Sequence, residues 1–208
     1  VSVEDQQDAV VDALNEFKKA WLDNYAVALD NACLGTVGAP TATTRPFTSV
    51  YEAVGAGNRL ATAGTLTYED LVDVFGDMEG SRKGGLVAIA HPAFAMSLRN
   101  LKDADGERVV STEGVLGAGV PTVFGHQLVF SHGARTSTEF SDDPTGNPLL
   151  IVAAKRELIL GVRSGPESQV SDQPQWASDH IELKMRSRRA FALASADSAR
   201  VVELTAAV

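Results

Sequence analysis

Residues 85–110 read GLVAIAHPAFAMSLRNLKDADGERVV, and the order of signals in them decides the class of fold. The run GLVAIA at 85–90 is continuously apolar behind a glycine, which predicts a strand buried on both faces. Pro92 then stands where a helix tolerates a missing N–H, and Phe94, Leu98 and Leu101 recur at helical spacing as one inner face. Asp103, Asp105 and Gly106 close the stretch as a turn, in which the carboxylates bond their own backbone and the glycine takes a positive φ. Strand, helix and turn in this order make one α/β unit.

The same residues hold candidates for chemistry, each with a plainer reading. As a calcium loop beginning at Asp103, the stretch has Gly106 two places early and Gly114 where the bidentate glutamate belongs, so the match fails. His91 titrates in the range of a general base but needs a partner. The other histidines, His126, His132 and His180, lack metal-ligand spacing, and no serine sits in a GxSxG elbow. A hydrogen-bonded structural histidine at a strand-to-helix junction is the preferred reading. In GAGNRLATAG at 55–64, Gly55 and Gly57 have the first spacing of a dinucleotide fingerprint, but the third glycine and the preceding strand are missing. Cys33 follows a helical pattern with no basic neighbour to lower its pKa, which reads as core filler.

Outward from this unit, residues 3–33 predict one long helix, with Val10, Leu14, Phe17, Trp21, Tyr25 and Leu29 as its apolar stripe. Ser2 and Asp5 form a weak capping box at its start, and Gly35 with Gly38 ends it. Thirty residues make a rod of about 45 Å, longer than a domain of this size needs for its own core. Ser49 to Val54 reads as a short helical turn. LTYEDLVDVFGDM at 66–78 predicts a second helix, capped by Thr67 and Asp70 and burying Leu71, Val74, Phe75 and Met78. HQLVFS at 126–131 is a further strand, and LLIVAA and LILGVR are strands, paired or bent, joined by Lys155, Arg156 and Glu157. In DHIELKMRSRRAFALA at 179–194, Ile181, Leu183, Met185, Arg189, Phe191 and Leu193 fall on one parity, with Glu182, Lys184, Arg186 and Arg188 on the other. That alternation predicts a long strand with one wet face, comparable in reach to the first helix and lying beside it.

Bulk numbers fit a globular chain. At 208 residues, with 44% hydrophobic and 22% charged side chains, the chain can form one large domain or two small ones. A net charge of −9 argues against broad contact with nucleic-acid phosphates, so any DNA contact is local. One cysteine excludes an internal disulfide and a cysteine-based zinc site. The apolar runs are far shorter than the roughly 20 residues of a membrane helix. No cofactor, metal or membrane partner is expected.

Several segments, in order, resemble the major capsid proteins of tailed bacteriophages, the family with the Hong Kong 97 type fold. YAVALDNACLGTVGAP at 25–40 is similar to the end of that family's spine helix. LTYEDLVDVFGDM, the 85–110 stretch and PTVFGHQLVFS at 121–131 resemble its helix, strand, Pro-started helix and Phe-Gly-led strand. LLIVAAKRELILGVRSG at 149–165 and RSRRAFALASADSARVVEL at 186–204 are similar to its closing segments. The resemblance covers about residues 20 to 205 and rests on order and spacing rather than on one motif.

The resemblance implies an α+β fold of the Hong Kong 97 type. Its peripheral domain would hold the spine helix (1–46) and strands (148–195), with an α/β axial domain at 47–147 and a return to it at 196–208. It implies a shell subunit rather than an enzyme, joining its own copies as pentamers and hexamers around double-stranded DNA held without sequence specificity. Phage scaffold, protease and portal proteins are the further partners implied. The implied location is the virion capsid, assembled in the bacterial host cytoplasm. The family's N-terminal arm and E-loop find no counterpart in residues 1–208, and the reading expects a truncated or proteolysed chain. With no asparagine after Asn147, the isopeptide cross-link of some members is not expected. Lys184, Arg186 and Arg188 are the candidate subunit contacts. Two alternatives stand beside this reading: an encapsulin-like compartment of the same fold, and a small α/β hydrolase or nucleotide-binding enzyme built on His91 and the nearby aspartates.

Overall fold

The computed structural model describes residues 12–35, 47–62, 66–81, 85–102, 106–108, 110–111, 121–136, 146–171 and 182–205. The expected helix start at Ser2 and Asp5, and Asp103 and Asp105 themselves, lie outside the described residues. The chain divides into two compact units, Val1–Ala26 with Leu160–Ala190 and Val27–Ile159 with Phe191–Val208.

Among the described residues, the larger unit is built on a seven-stranded mixed sheet. In chain order its strands are β1 (Arg59–Thr62), β2 (Leu86–Ala90), β3 (Val110–Ser111), β4 (Thr122–Val123), β5 (His126–Phe130), β6 (Leu149–Ala154) and β9 (Ala199–Leu204). They lie in the order β1-β9-β6-β2-β5-β4-β3. All six residues of β6 are buried, which is why LLIVAA is apolar without alternation. Its even-numbered side chains, Leu150, Val152 and Ala154, join a core with Leu71, Phe75, Met78, Phe94 and Leu98. The odd-numbered ones, Leu149, Ile151 and Ala153, join a second core with Leu34, Val50 and Val54.

Among the described residues, four helices contribute to these cores: the C-terminal end of α1 (Ala13–Leu34), α2 (Val50–Ala53), α3 (Tyr68–Ser81) and α4 (Phe94–Asn100), which follows β2. The capping box forms as expected: Thr67 N–H donates to Asp70 Oδ2 at 2.9 Å and Asp70 N–H to Thr67 Oγ1 at 3.2 Å. Thr67→Ala is expected to lower stability by about 1 kcal/mol, read as an earlier urea midpoint at unchanged slope. β2 and β5 are parallel, with α4 in the connection between them, so the α/β unit expected at 85–110 is present. Pro92 sits two residues before α4 rather than inside it, and the His91 ring accepts the Ala93 N–H at 3.0 Å. Gly106 has a φ of 85° between the bridged residues Lys102 and Arg108, as the turn requires.

Leu149–Ala154 pairs with β2 and β9 inside the large sheet, because a strand apolar on both faces needs cover on both. Of the two readings for LLIVAA and LILGVR, paired or bent, the chain takes the bend, through a 3-10 turn at Lys155–Glu157 into β7 (Leu158–Ser171). Two features depart from the expectations. Arg59–Thr62 forms an edge strand parallel to β9, where the sequence reading had only a small-residue stretch. Phe17 is 55% exposed, since it sits about 60° from the centre of a stripe running through Leu14, Tyr25 and Ala32.

The smaller unit contains the N-terminal part of α1 and most of a two-stranded sheet, β7 with β8 (Glu182–Leu193). Burial along β8 alternates residue by residue, and Leu183 and Met185 take the covered parity as expected. Tyr25 on α1 donates its hydroxyl to Ser187 Oγ at 2.8 Å, and Ser187 donates to the Ser164 carbonyl at 3.3 Å. Helix and strand lie side by side at this point, and Trp21 stacks on Tyr25 with ring centroids 4.8 Å apart.

Candidate functional site

His91 has the geometry of a structural residue. It is 8% exposed, and its ring stands edge-on to His132 with centroids 5.8 Å apart. Burial first, then the Arg135 and His132 charges, push its pKa down to about 4. Among the described residues its side-chain hydrogen bond is the one from Ala93 N–H, with no carboxylate or hydroxyl partner. At neutral pH the imidazole is therefore uncharged, and its Nδ1 is taken up by the Ala93 N–H. The Cys33 thiol is pushed up to about 12, by burial and then by Asp30, which leaves it protonated at neutral pH. Gly55 and Gly57 lie ahead of a strand, around a 3-10 turn at Ala56–Asn58, the reverse of the strand-then-glycine order a pyrophosphate cradle needs. No group of three His, Cys, Asp or Glu side chains that could hold a metal occurs among the described residues.

What the structure does build is surface. Lys184, Arg186 and Arg188 occupy alternate exposed positions of β8. Arg186 Nε meets Glu167 Oε2 of β7 at 3.0 Å, with both side chains 45% exposed, so the pair contributes little on its own. Lys184 and Arg188 have no ion pair among the described residues. On β7, Leu160, Val162 and Val170 are 49, 57 and 50% exposed. This two-stranded sheet thus offers cations and half-covered apolar side chains on strands that have no third neighbour among the described residues.

A second feature, missed in the sequence, lies where the last turns of α1 meet the segment 131–136. Asn31 Nδ2 donates to the carbonyls of Gly133 at 3.1 Å and Arg135 at 2.9 Å, and Ser131 Oγ donates to Asp30 Oδ2 at 2.6 Å. The backbones touch: a Cβ on Gly133 would lie 2.5 Å from the Asn31 nitrogen, and one on Gly35 only 1.7 Å from the Arg135 carbonyl oxygen. The sequence signal was present in Gly35 and Gly133, but neither glycine names its partner.

Comparison with known proteins places this fold. The phage capsid family matches residues 1–204. The capsid of an empty GTA particle is similar at a TM-score of 0.71 with 14% identity, covering 99% of this chain and 70% of that one. A chain of Gordonia phage Cozz is similar at 0.71 and 14%, over 100% of this chain and 68% of that one. Mycobacterium phage Bobi gives 0.71 and 18%, with 100% and 70% covered. No curated protein matches the chain. At these identities the structural likeness carries the α+β fold, and the family match carries the membership. The chain belongs to the phage capsid family, the tailed-phage major capsid proteins, as a structural component of the virion capsid.

Proposed function

We propose that copies of this chain join as pentamers and hexamers into a closed icosahedral shell around double-stranded DNA, assembled in the cytoplasm of a bacterial host. The observation that carries this reading is the likeness of fold over 99% of the chain to a capsid described with C5 symmetry. A shell works through many modest contacts repeated by symmetry, and the β7–β8 sheet has the exposed edges, apolar side chains and cations such contacts use. In this reading α1 with β7 and β8 serves as the peripheral domain, and the seven-stranded sheet with α3 and α4 as the inserted axial domain. Lys184, Arg186 and Arg188 are contacts to a neighbouring subunit. Scaffold, protease and portal proteins are further partners in assembly. A net charge of −9 suits a shell that encloses DNA without gripping it. The encapsulin-like alternative shares the fold and differs in contents, so nucleic acid co-purifying with the shells separates the two. The enzymatic alternative finds no carboxylate or hydroxyl partner for His91 among the described residues. Imaging of the full-length gene product tests the proposal.

A further inference from the structure

Two rows of like charge are exposed on different elements, and their spacings match. On β8, Lys184, Arg186 and Arg188 share one parity, so successive cations are about 6.6 Å apart. On α3, Glu69, Asp73 and Asp77 are spaced four residues apart along one exposed stripe, so successive carboxylates are about 6 Å apart. Over three charges the rows run about 13 and 12 Å. Residues 68–81 contain five acidic side chains and no basic one. Each row repels itself in the isolated chain, since like charges at these spacings are destabilising on a helix face and on a strand face. Local compensation is thin: Arg200 Nε is 3.6 Å from Asp77 Oδ2, Glu167 holds Arg186, and Asp70 is engaged in the cap. Glu69, Asp73, Lys184 and Arg188 have no ion pair among the described residues. Asp73 and Asp77 also line an open cleft with Asp70, Asn58, Arg59 and Arg200, and the Arg59 guanidinium there donates to the Val54 carbonyl at 3.0 Å.

We infer that the cationic row of β8 in one copy docks on the carboxylate row of α3 in a neighbouring copy. This rests on the shell reading and names the surface that receives Lys184, Arg186 and Arg188. Charge complementarity selects a second copy as the occupant, because each copy carries both rows. A screened pair contributes little singly, but three in register, repeated by the symmetry of a shell, set orientation and neighbour choice.

The test is a charge swap in the full-length gene product, read as shell yield by sedimentation and negative-stain imaging. Lys184→Glu with Arg188→Glu, which leaves the Arg186–Glu167 pair intact, is expected to lower yield roughly tenfold or more, as is Glu69→Lys with Asp73→Lys. All four together are expected to restore yield to within about threefold of the parent. Unchanged assembly in either reversed pair, or no recovery in the combination, overturns the docking. Shells of normal yield that have lost their DNA in the β8 variant also overturn it, since the row then faces nucleic acid. Circular dichroism checks that each variant folds. Where a reversal does not, Lys184→Gln with Arg188→Gln and the salt dependence of parent assembly replace it, with lower yield and salt sensitivity expected and insensitivity to both overturning the docking. Absence of shells from the parent overturns the shell reading and this contact with it; parent shells without charge rescue overturn the contact alone.

Discussion

Gly35→Ala is expected to destabilise the larger unit by about 3 kcal/mol or more, seen as a fall in melting temperature of roughly 6–12 °C. A methyl at this position would sit 1.7 Å from the carbonyl oxygen of Arg135, 2.7 Å from its carbonyl carbon and 3.0 Å from its nitrogen. A Cβ has no rotamer, and the obstructing atoms are backbone, so relief requires moving the chain. The segment that would move is tied down: Asn31 donates to that same carbonyl at 2.9 Å, and Leu149 N–H donates to the Ala134 carbonyl at 2.8 Å. The end of α1 would separate from the segment leading into β6, the strand shared by both cores. Gly76→Ala is the contrast, since nothing lies within 4 Å of a Cβ there and the position is inside α3. It is expected to stabilise by roughly 0.5–1 kcal/mol. A Gly35→Ala protein melting with the parent would show that the close approach is absent.

The second large effect is acid sensitivity from His91. Its folded-state pKa of about 4 lies below the ordinary 6.5. Above pH 6.5 the imidazole is neutral folded or unfolded and adds no pH dependence. Between 6.5 and about 4 the unfolded chain takes up a proton that the folded chain refuses, so stability falls as pH falls. The loss reaches on the order of 3 kcal/mol near pH 4 and then levels off. Carboxylates titrate in part of the same window, so the quantity to measure is the difference between parent and His91→Asn in urea unfolding at pH 7, 5.5 and 4. Asparagine offers an oxygen in place of the ring nitrogen that accepts the Ala93 N–H, but does not titrate. The parent is expected to lose more stability than the variant; parallel curves would mean that His91 is protonated in the folded state.

Much of the architecture was legible because the signals were local. The capping pair Thr67 and Asp70 lies three residues apart, LLIVAA announces a strand covered on both faces, and the alternation through 182–193 announces one covered on a single face. What failed was long-range. β1 is four residues held in place by β9, some 140 positions later, and nothing in Arg59–Thr62 reports that partner. Sheet membership is long-range in the same way: apolar character shows that Leu149–Ala154 is buried without saying in which sheet. At the candidate site the cations of β8 were visible from parity alone. The acidic stripe of α3 lies outside the apolar face whose periodicity marks the helix, and that periodicity does not signal it. The seat of α1 against 131–136 is encoded in glycines, whose meaning lies in what approaches them.

Negative-stain electron microscopy of the purified full-length gene product tests the central claim most directly. The account predicts round, closed shells of uniform size carrying nuclease-protected double-stranded DNA when assembled in the host. Monodisperse monomers under the same conditions would contradict it.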